Sequence, residues 1–353
     1  MPNKLTAGVH EGWIGPGKKD GKIQSLTPEE GGLHIDLAKR DNFEWWYFDA
    51  RLDNGFTVIV FFHARNHLTK KTEIEVTIYN PEGGKKSYRF TFQMHEFKAS
   101  QKKTDIKLRN NYLHVDYSFA DAPVYELSVE EGEISLKLHF SGIVSGWKPG
   151  KGFTKFGQSG YFHWIVPLPR ARVKAQVRFG SEEFTSEGIG YHDHNWGSGV
   201  NLSKIIDYWQ WGRIYTKTFT VIFAIIQLNK KMKNHKITVF MLAEKNNPKI
   251  STGEFIISTK EIALNTRIHS YYPKRFQLEI PSQVKVQLEV QKIIDAQDLL
   301  SEQSRLVQFF AKKILKIKPG YFRFLSTCSV ECTTENGTII EQTEALHEMV
   351  FLK

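Results

Sequence analysis

Along most of the chain apolar and polar positions alternate with a period of two, and turn residues break the alternation at short intervals. This is the pattern of antiparallel strands. Residues 43–52, the turn Asp53-Asn54-Gly55 and residues 56–64 predict a hairpin, because Asn-Gly supplies the positive φ that a tight turn needs. Residues 72–79 and 87–93 flank Asn80-Pro81-Glu82-Gly83-Gly84 in the same way. Residues 125–130 and 134–140 flank Glu131-Gly132, and residues 160–168 and 173–179 flank Pro169. A strand over 183–196 follows Gly180-Ser181. A second series contains strands over 207–215, 219–228, 236–243 and 255–258, then the clean alternation of Val284, Val286, Leu288 and Val290 with Lys285, Gln287 and Glu289. It closes with 321–333, the turn Asn336-Gly337, 338–343 and a last strand to Leu352. One stretch departs from this pattern. Leu299, Leu300, Leu306, Phe309, Phe310, Ile314 and Ile317 recur at helical spacing and predict a helix over 298–317.

A run of hairpins with one late helix predicts an all-β protein of two antiparallel barrels or sandwiches in series. The expected division is a coil over 1–40 that wraps or leads in, a first domain over 41–200 and a second over 201–353, with the break at 197–204. A chain of 353 residues can bury two cores. Its 13% aromatic content suits sheets and stacked or greasy ligands. The net charge of +10 raises the question of nucleic acid. The basic pairs Lys18-Lys19, Lys70-Lys71, Lys85-Lys86, Lys102-Lys103, Lys230-Lys231 and Lys312-Lys313 are scattered, however, and no nucleic-acid-binding motif accompanies them, so no nucleic-acid partner is expected. Cys328 and Cys332, about 13 Å apart on an extended strand, are too distant for a disulfide. Two cysteines are also too few for a zinc cluster. With no apolar signal-peptide core at Met1-Pro2-Asn3-Lys4-Leu5, the expected location is cytoplasmic.

The chemistry concentrates in Gly188-Ile189-Gly190-Tyr191-His192-Asp193-His194-Asn195-Trp196-Gly197. In an extended strand Tyr191, Asp193 and Asn195 share one face, and His192, His194 and Trp196 share the other. If the first face lines a greasy cavity, burial raises the Asp193 pKa and makes it an acid able to protonate an unactivated C=C bond. Tyr191 and Asn195 would orient that acid or a water, and aromatic faces would stabilise the resulting cation. Alternatively, Asp193 caps a turn or pairs with Arg170 or Arg213, and Glu44 or Asp49 is the acid. If the second face is inside, His192 and His194 are hydrogen-bonding groups that orient their neighbours. As metal ligands they would need a third from His163, His63 or Glu44, and no metal is expected. Trp45 and Trp46 are adjacent, so they point to opposite faces and only one can enter a given core.

Glu44-Trp45-Trp46-Tyr47-Phe48, Trp164 with Pro169-Arg170, Gly190–Gly197 and Trp209-x-Trp211 together resemble the carotenoid hydratase (hydroxyneurosporene synthase) and AttH-like family. That group is lipocalin-like, and its relatives include terpenoid cyclases and lipocalin-type Diels-Alderases. The resemblance runs from about residue 40 to the C-terminal hairpin. It implies two lipocalin-like β domains, an elongated apolar cavity near their junction, and hydration of a terminal isoprenoid double bond without a cofactor. The family's Tyr, Asp and Trp carry over to Tyr191, Asp193 and Trp164. Ala171 and Ala175 stand where small glycines are expected, a departure in local packing. Members differ widely in substrate, so the resemblance does not fix the reaction.

The expected function is therefore a cofactor-independent hydratase (hydro-lyase) or cyclase acting on an isoprenoid or polyene. Asp193, Tyr191 and Asn195 are the catalytic residues, and Trp45, Trp46, Trp164, Trp196, Trp209, Trp211, Glu44, His163, His192 and His194 form the substrate site. Two alternatives use the same cavity: a pericyclase that needs shape and a hydrogen bond rather than an acid, and a non-enzymatic carrier of a hydrophobic ligand. Lys312, Lys313, Lys316 and Lys318 on the late helix would serve a peripheral membrane contact, or the helix simply covers a barrel edge.

Overall fold

A computed structural model describes residues 8–15, 19, 21–118, 123–158, 160–299 and 319–352. The described chain is built almost wholly from antiparallel strands, arranged in two curled sheets, a barrel and a half-barrel. This is the expected all-β, lipocalin-like class. In the first sheet the strands lie in the order Lys85–Phe92, Thr72–Tyr79, Thr57–Arg65, Phe43–Leu52, Glu182–Ser198, Gly160–Phe179, Ile134–Gly142, Val124–Glu131, Asn111–Asp116, Asp105–Leu108 and Phe97–Ala99. Phe153–Phe156 pairs beside Gly160–Phe179 and carries the short Val9–Glu11. The second sheet runs Asn247–Thr252, Lys236–Glu244, Phe219–Leu228, Ile206–Tyr215, Gly337–Phe351, Gly320–Thr334, Val284–Asp298, Ser270–Ile280 and Ile256–Asn265. A four-residue helix, Leu202–Ile205, joins the two. The expected helix over 298–317 falls, beyond Leu299, outside the described residues, and Asp298 itself ends a strand.

Two expected breaks are absent. Gly160–Phe179 is a single strand, and Pro167 and Pro169 lie where its register shifts against Glu182–Ser198. A proline has no N–H to give a ladder, and an irregularity in register is where a sheet tolerates that loss. Gly337–Phe351 is likewise continuous. Several strands gave no clear sequence signal: Phe97–Ala99, Asp105–Leu108 and Asn111–Asp116 are short, and Ser270–Ile280 contains Pro273.

Three large apolar clusters follow from this topology. The first fills the first sheet with Trp46, Phe48, Phe62, Leu127, Phe140 and their neighbours. Another fills the second sheet around Phe223, Phe240, Leu278 and Val286, and both free cysteines are buried there. Between them a third cluster joins Tyr47, Tyr191, Trp147 and Val166 from one sheet to Ile222, Val239 and Met241 from the other. The N-terminal coil crosses this junction. Gly12 N donates to Phe153 O in the first sheet, whereas Gly21 N donates to Ser251 O and Gly253 N to Lys19 O in the second. No helix among the described residues is long and apolar enough to cross a membrane.

Candidate active site between the sheets

Strand pairing decides which way the dense segment points. Glu182–Ser198 lies between Phe43–Leu52 and Gly160–Phe179. Tyr191, Asp193 and Asn195 stand opposite Asp49, Tyr47 and Trp45, and Asn195 also stands opposite Trp164. Directly opposed residues share a face, so these side chains form one patch, and it faces the junction. Their strand fits closely between its neighbours. A Cβ on Gly190 would lie 2.5 Å from the Phe140 ring and 2.7 Å from Asp49 O, so only glycine lets the chains approach this far.

Asp193 is the point of convergence. Its Oδ2 accepts from Tyr191 Oη at 2.9 Å and from Trp164 Nε1 at 3.1 Å, and its Oδ1 accepts from Asn195 Nδ2 at 2.7 Å. It forms no ion pair with Arg170 or Arg213, because Arg213 is paired with Asp49 and Arg170 Nη1 donates to Thr216 O. Burial pushes the Asp193 carboxyl up to about 7, a rise that its three donors oppose and the nearby Asp49 reinforces. Such a group carries its proton part of the time near neutrality and can serve as acid or base. Burial also holds the Tyr191 hydroxyl well above its ordinary value, so it remains a neutral donor.

Around this carboxyl lies a polar shell on an aromatic wall. Tyr47 Oη donates to Asp49 Oδ2 at 2.7 Å, and the Arg213 guanidinium pairs with the same oxygen. The guanidinium lies over the Tyr191 ring at 5.6 Å and the Trp211 ring at 5.5 Å. The rings of Tyr191 and Trp211 are 5.1 Å apart, and Tyr47 sits 6.1 Å from each. Further along, Arg323 pairs with Glu348 at 2.8 Å and lies over Tyr79, whose hydroxyl donates to Asp295. Trp45, Phe162 and Trp209 pack against the same apolar cluster, partly buried.

The opposite face of the same strand has a different character. His192 stacks on Phe48 with ring centres 3.9 Å apart and gives Nδ1–H to Tyr47 O at 2.9 Å. His194 stacks on Trp46 at 4.4 Å, gives Nδ1–H to Glu30 O at 3.0 Å and meets Glu44 with Nε2 at 2.8 Å. Glu44 also accepts from the backbone N–H groups of His34 and Ile35. Burial lifts Glu44 to about 8 and lowers His194 to about 3, so the pair is most stable uncharged, the carboxyl donating to Nε2. Trp46 Nε1 donates to Gly31 O, and Trp196 is sandwiched by His34 and His163. This face pins residues 30–35 across the first sheet.

The structure thus gathers Asp193, Tyr191, Asn195, Trp45, Trp164, Trp209 and Trp211 at the junction. It places Glu44, Trp46, His163, His192, His194 and Trp196 on the other side of the sheet. His194 has no ring nitrogen left for a metal, and His63 lies on the junction side beside Trp45. No cluster of three or more His, Cys, Asp or Glu side chains among the described residues is arranged to hold a metal ion. Arg323, Glu348 and Tyr321 escaped the sequence reading, although Tyr321-Phe322-Arg323-Phe324 carries the signal. Its alternation puts Tyr and Arg on one face and two Phe on the other.

The chain belongs to the Svf1 family, whose profile matches residues 39–353. It is 25% identical over 138 residues to a hydroxyneurosporene dehydrogenase of Chlorobaculum tepidum. That match spans 37% of this chain and 35% of the relative, about a third of each. Three solved structures share the fold over nearly the whole chain. One is assigned to AttH of Nitrosomonas europaea, with TM-score 0.61 and 15% identity over 96% of this chain and 98% of that one. CghA with Sch210972 gives 0.63 and 10% over 95% and 98%. Kievitone hydratase of Nectria haematococca gives 0.52 and 12% over 94% and 97%. The expected resemblance to the AttH-like, lipocalin-like group therefore stands, and these identities speak for the fold alone.

Proposed function

We propose that this protein is a cofactor-independent enzyme acting on an apolar isoprenoid or polyene held between the two sheets, with Asp193 as its general acid. The observation that carries the reading is the convergence of Tyr191, Trp164 and Asn195 on one buried carboxyl. In the reaction the Asp193 proton passes to one carbon of a C=C bond, whose π electrons form the new C–H bond. The cation left on the other carbon is captured by water, and water's surplus proton returns to the Asp193 carboxylate. Capture by a second double bond of the same chain, followed by proton loss to that carboxylate, gives cyclisation instead. Tyr191 and Trp164 hold the acid in place, and Asn195 anchors its other oxygen. The hydratase among the structural neighbours is in keeping with chemistry of this class, and the hydroxyneurosporene dehydrogenase to which the chain is similar is in keeping with an isoprenoid ligand.

One observation favours a second reading. Arg213 already lies over one face each of Tyr191 and Trp211, rings that would otherwise be free to solvate a carbocation from either side. A concerted ring closure builds no full cation and suits such a wall better.

Native mass spectrometry of the purified chain followed by organic extraction identifies the ligand class. Turnover of that ligand by wild type and Asp193→Asn then separates the readings. Loss of turnover with ligand binding retained supports the acid. A modest slowing supports the pericyclase. Binding without turnover by either protein supports a carrier.

A further inference from the structure

Several buried polar atoms at the junction lack a hydrogen-bonding partner within the protein, and two of them, Trp211 Nε1 and Asp49 Oδ1, belong to one group of side chains. One can only donate and the other, in an ionised carboxylate, can only accept. Both belong to one compact group. Arg213 pairs with the other oxygen of Asp49 while lying 5.5 Å from the centre of the Trp211 ring. Tyr47 touches both partners, its hydroxyl 2.7 Å from Asp49 Oδ2 and its ring 6.1 Å from that of Trp211. Asp49 is 1% exposed. Native structures rarely leave such groups unpaired, so an unpaired donor and an unpaired acceptor that share Arg213 and Tyr47 as neighbours mark where a ligand's polar atom belongs.

The charges nearby narrow the chemistry of that atom. Arg213 is matched by Asp49, Arg323 by Glu348, and Lys85 by Asp295. Arg170, a cation without a carboxylate, sits over the Tyr215 ring, donates through Nη1 to Thr216 O and keeps a buried Nε without an acceptor. Within the Asp49–Trp211 group itself the cation is Arg213, already matched by Asp49, so that group offers no spare positive charge to a carboxylate or phosphate. A hydroxyl satisfies both unpaired atoms, its oxygen accepting from Trp211 and its proton going to Asp49. An ether or carbonyl answers Trp211 alone, and a hydrocarbon answers neither.

We infer that Trp211 Nε1 and Asp49 Oδ1 form a hydroxyl-binding subsite, and that the ligand is an uncharged apolar chain bearing a hydroxyl group rather than a pure hydrocarbon. This deepens the proposed function by naming the ligand class, and it rests on that reading only for the presence of a greasy chain in the junction. Because Asp49 and Asp193 both lie on the junction face, the subsite anchors one end of the chain and sets which double bond meets the acid.

The test is equilibrium binding to the full-length Asp193→Asn protein, in which turnover is suppressed. Three probes share one isoprenoid chain, namely the alcohol, its methyl ether and the corresponding carboxylic acid, each delivered from cyclodextrin and followed by isothermal titration. The alcohol is expected to bind at least tenfold more tightly than the ether and more tightly than the acid. In Trp211→Phe, which keeps the ring, the alcohol's advantage should shrink severalfold. In Asp49→Asn the alcohol–ether ratio should approach one. Equal binding of alcohol and ether in the Asp193→Asn protein overturns the subsite, as does a preference for the acid. An alcohol preference that survives both variants also overturns it. Failure of all three probes to bind overturns the greasy-ligand reading along with the subsite. Binding of all three alike overturns the subsite alone, and the acid assignment is judged separately by the turnover of wild type against Asp193→Asn.

Discussion

The two faces of the Glu182–Ser198 strand carry similar residue types and do opposite things with them. On the core side His192, His194 and Trp196 are stacked on rings, and His194 is paired on both nitrogens with Glu30 and Glu44. On the junction side Tyr191, Trp164 and Asn195 aim at the Asp193 carboxyl, Tyr47 and Arg213 at Asp49 Oδ2, and Trp211 Nε1 and Asp49 Oδ1 find no protein partner. The first arrangement is packing: His194 is closed on both nitrogens, and the open Nε2 of His192 belongs to a ring stacked on Phe48 and set edge-on to Tyr125 inside an apolar core. The second leaves a donor and an acceptor open within one group of side chains. Polar residues in a buried strand therefore do not by themselves mark a functional site, and neither does one open atom. What marks it here is a donor and an acceptor left open in the same group.

The largest effect expected is on the junction face. Asp193→Asn should lower turnover by about 100-fold to 10,000-fold, the range for losing a general acid, with an unchanged circular dichroism spectrum. Glu44→Ala tests the other face. It removes the acceptor of the His34 and Ile35 N–H groups and the partner of His194. It should cost about 1–3 kcal/mol in urea unfolding for each buried group left unpaired, while turnover per folded molecule stays the same. A proportional loss of turnover would mean the two faces are not separable.

The pH dependence sharpens the contrast. Burial raises Asp193 from the ordinary carboxyl range to about 7, so between these values the folded state holds a proton that the unfolded chain has lost. Its contribution to stability is therefore present at low pH and is lost as pH rises to about 7. Asp193→Asn should thus unfold at a higher temperature than wild type at pH 8, with the gap closing toward pH 5, and wild-type turnover should fall as pH rises through about 7. His194 runs the other way. Burial lowers it to about 3, so its contribution is full above the ordinary histidine value and is lost as pH falls from there toward 3. Smaller still, Gly190→Ala should destabilise by about 1–3 kcal/mol through overpacking against Phe140 and the Phe43–Leu52 strand. Trp164→Phe removes one of three donors to the Asp193 anion. It should move the alkaline limb of the rate profile to higher pH by a fraction of a unit.

Much of this architecture could be read from the alternation alone. Thr72–Tyr79 and Phe219–Leu228 begin and end where the pattern says, because turn residues bound them on both sides. The division of Tyr191, Asp193 and Asn195 from His192, His194 and Trp196 follows from the period of a strand and needs no structure. Which set faces the junction between the sheets could not be read, since that depends on how Glu182–Ser198 pairs with Phe43–Leu52, a contact between residues far apart in sequence. The same limit hid Glu44, which reads as a candidate ligand or acid next to Trp45 and proves to hold the N-terminal coil. It also hid the Arg213–Asp49 pair, whose members belong to different sheets. Pro169 misled for a local reason: proline predicts a break, and here a shift of register absorbs it.

The N-terminal coil that crosses from one sheet to the other has a kinetic consequence. Gly12 is tied to the first sheet, Gly21 and Lys19 to the second, and Glu11 reaches His235 at 2.7 Å. If a ligand enters by parting the sheets it has to detach this belt, and where the belt closes again behind it the work of detaching it enters the rate of capture and the rate of release equally. The belt would therefore slow exchange without altering affinity, turning the junction into a vessel with a long residence time whose opening is set by a few hydrogen bonds remote from the chemistry.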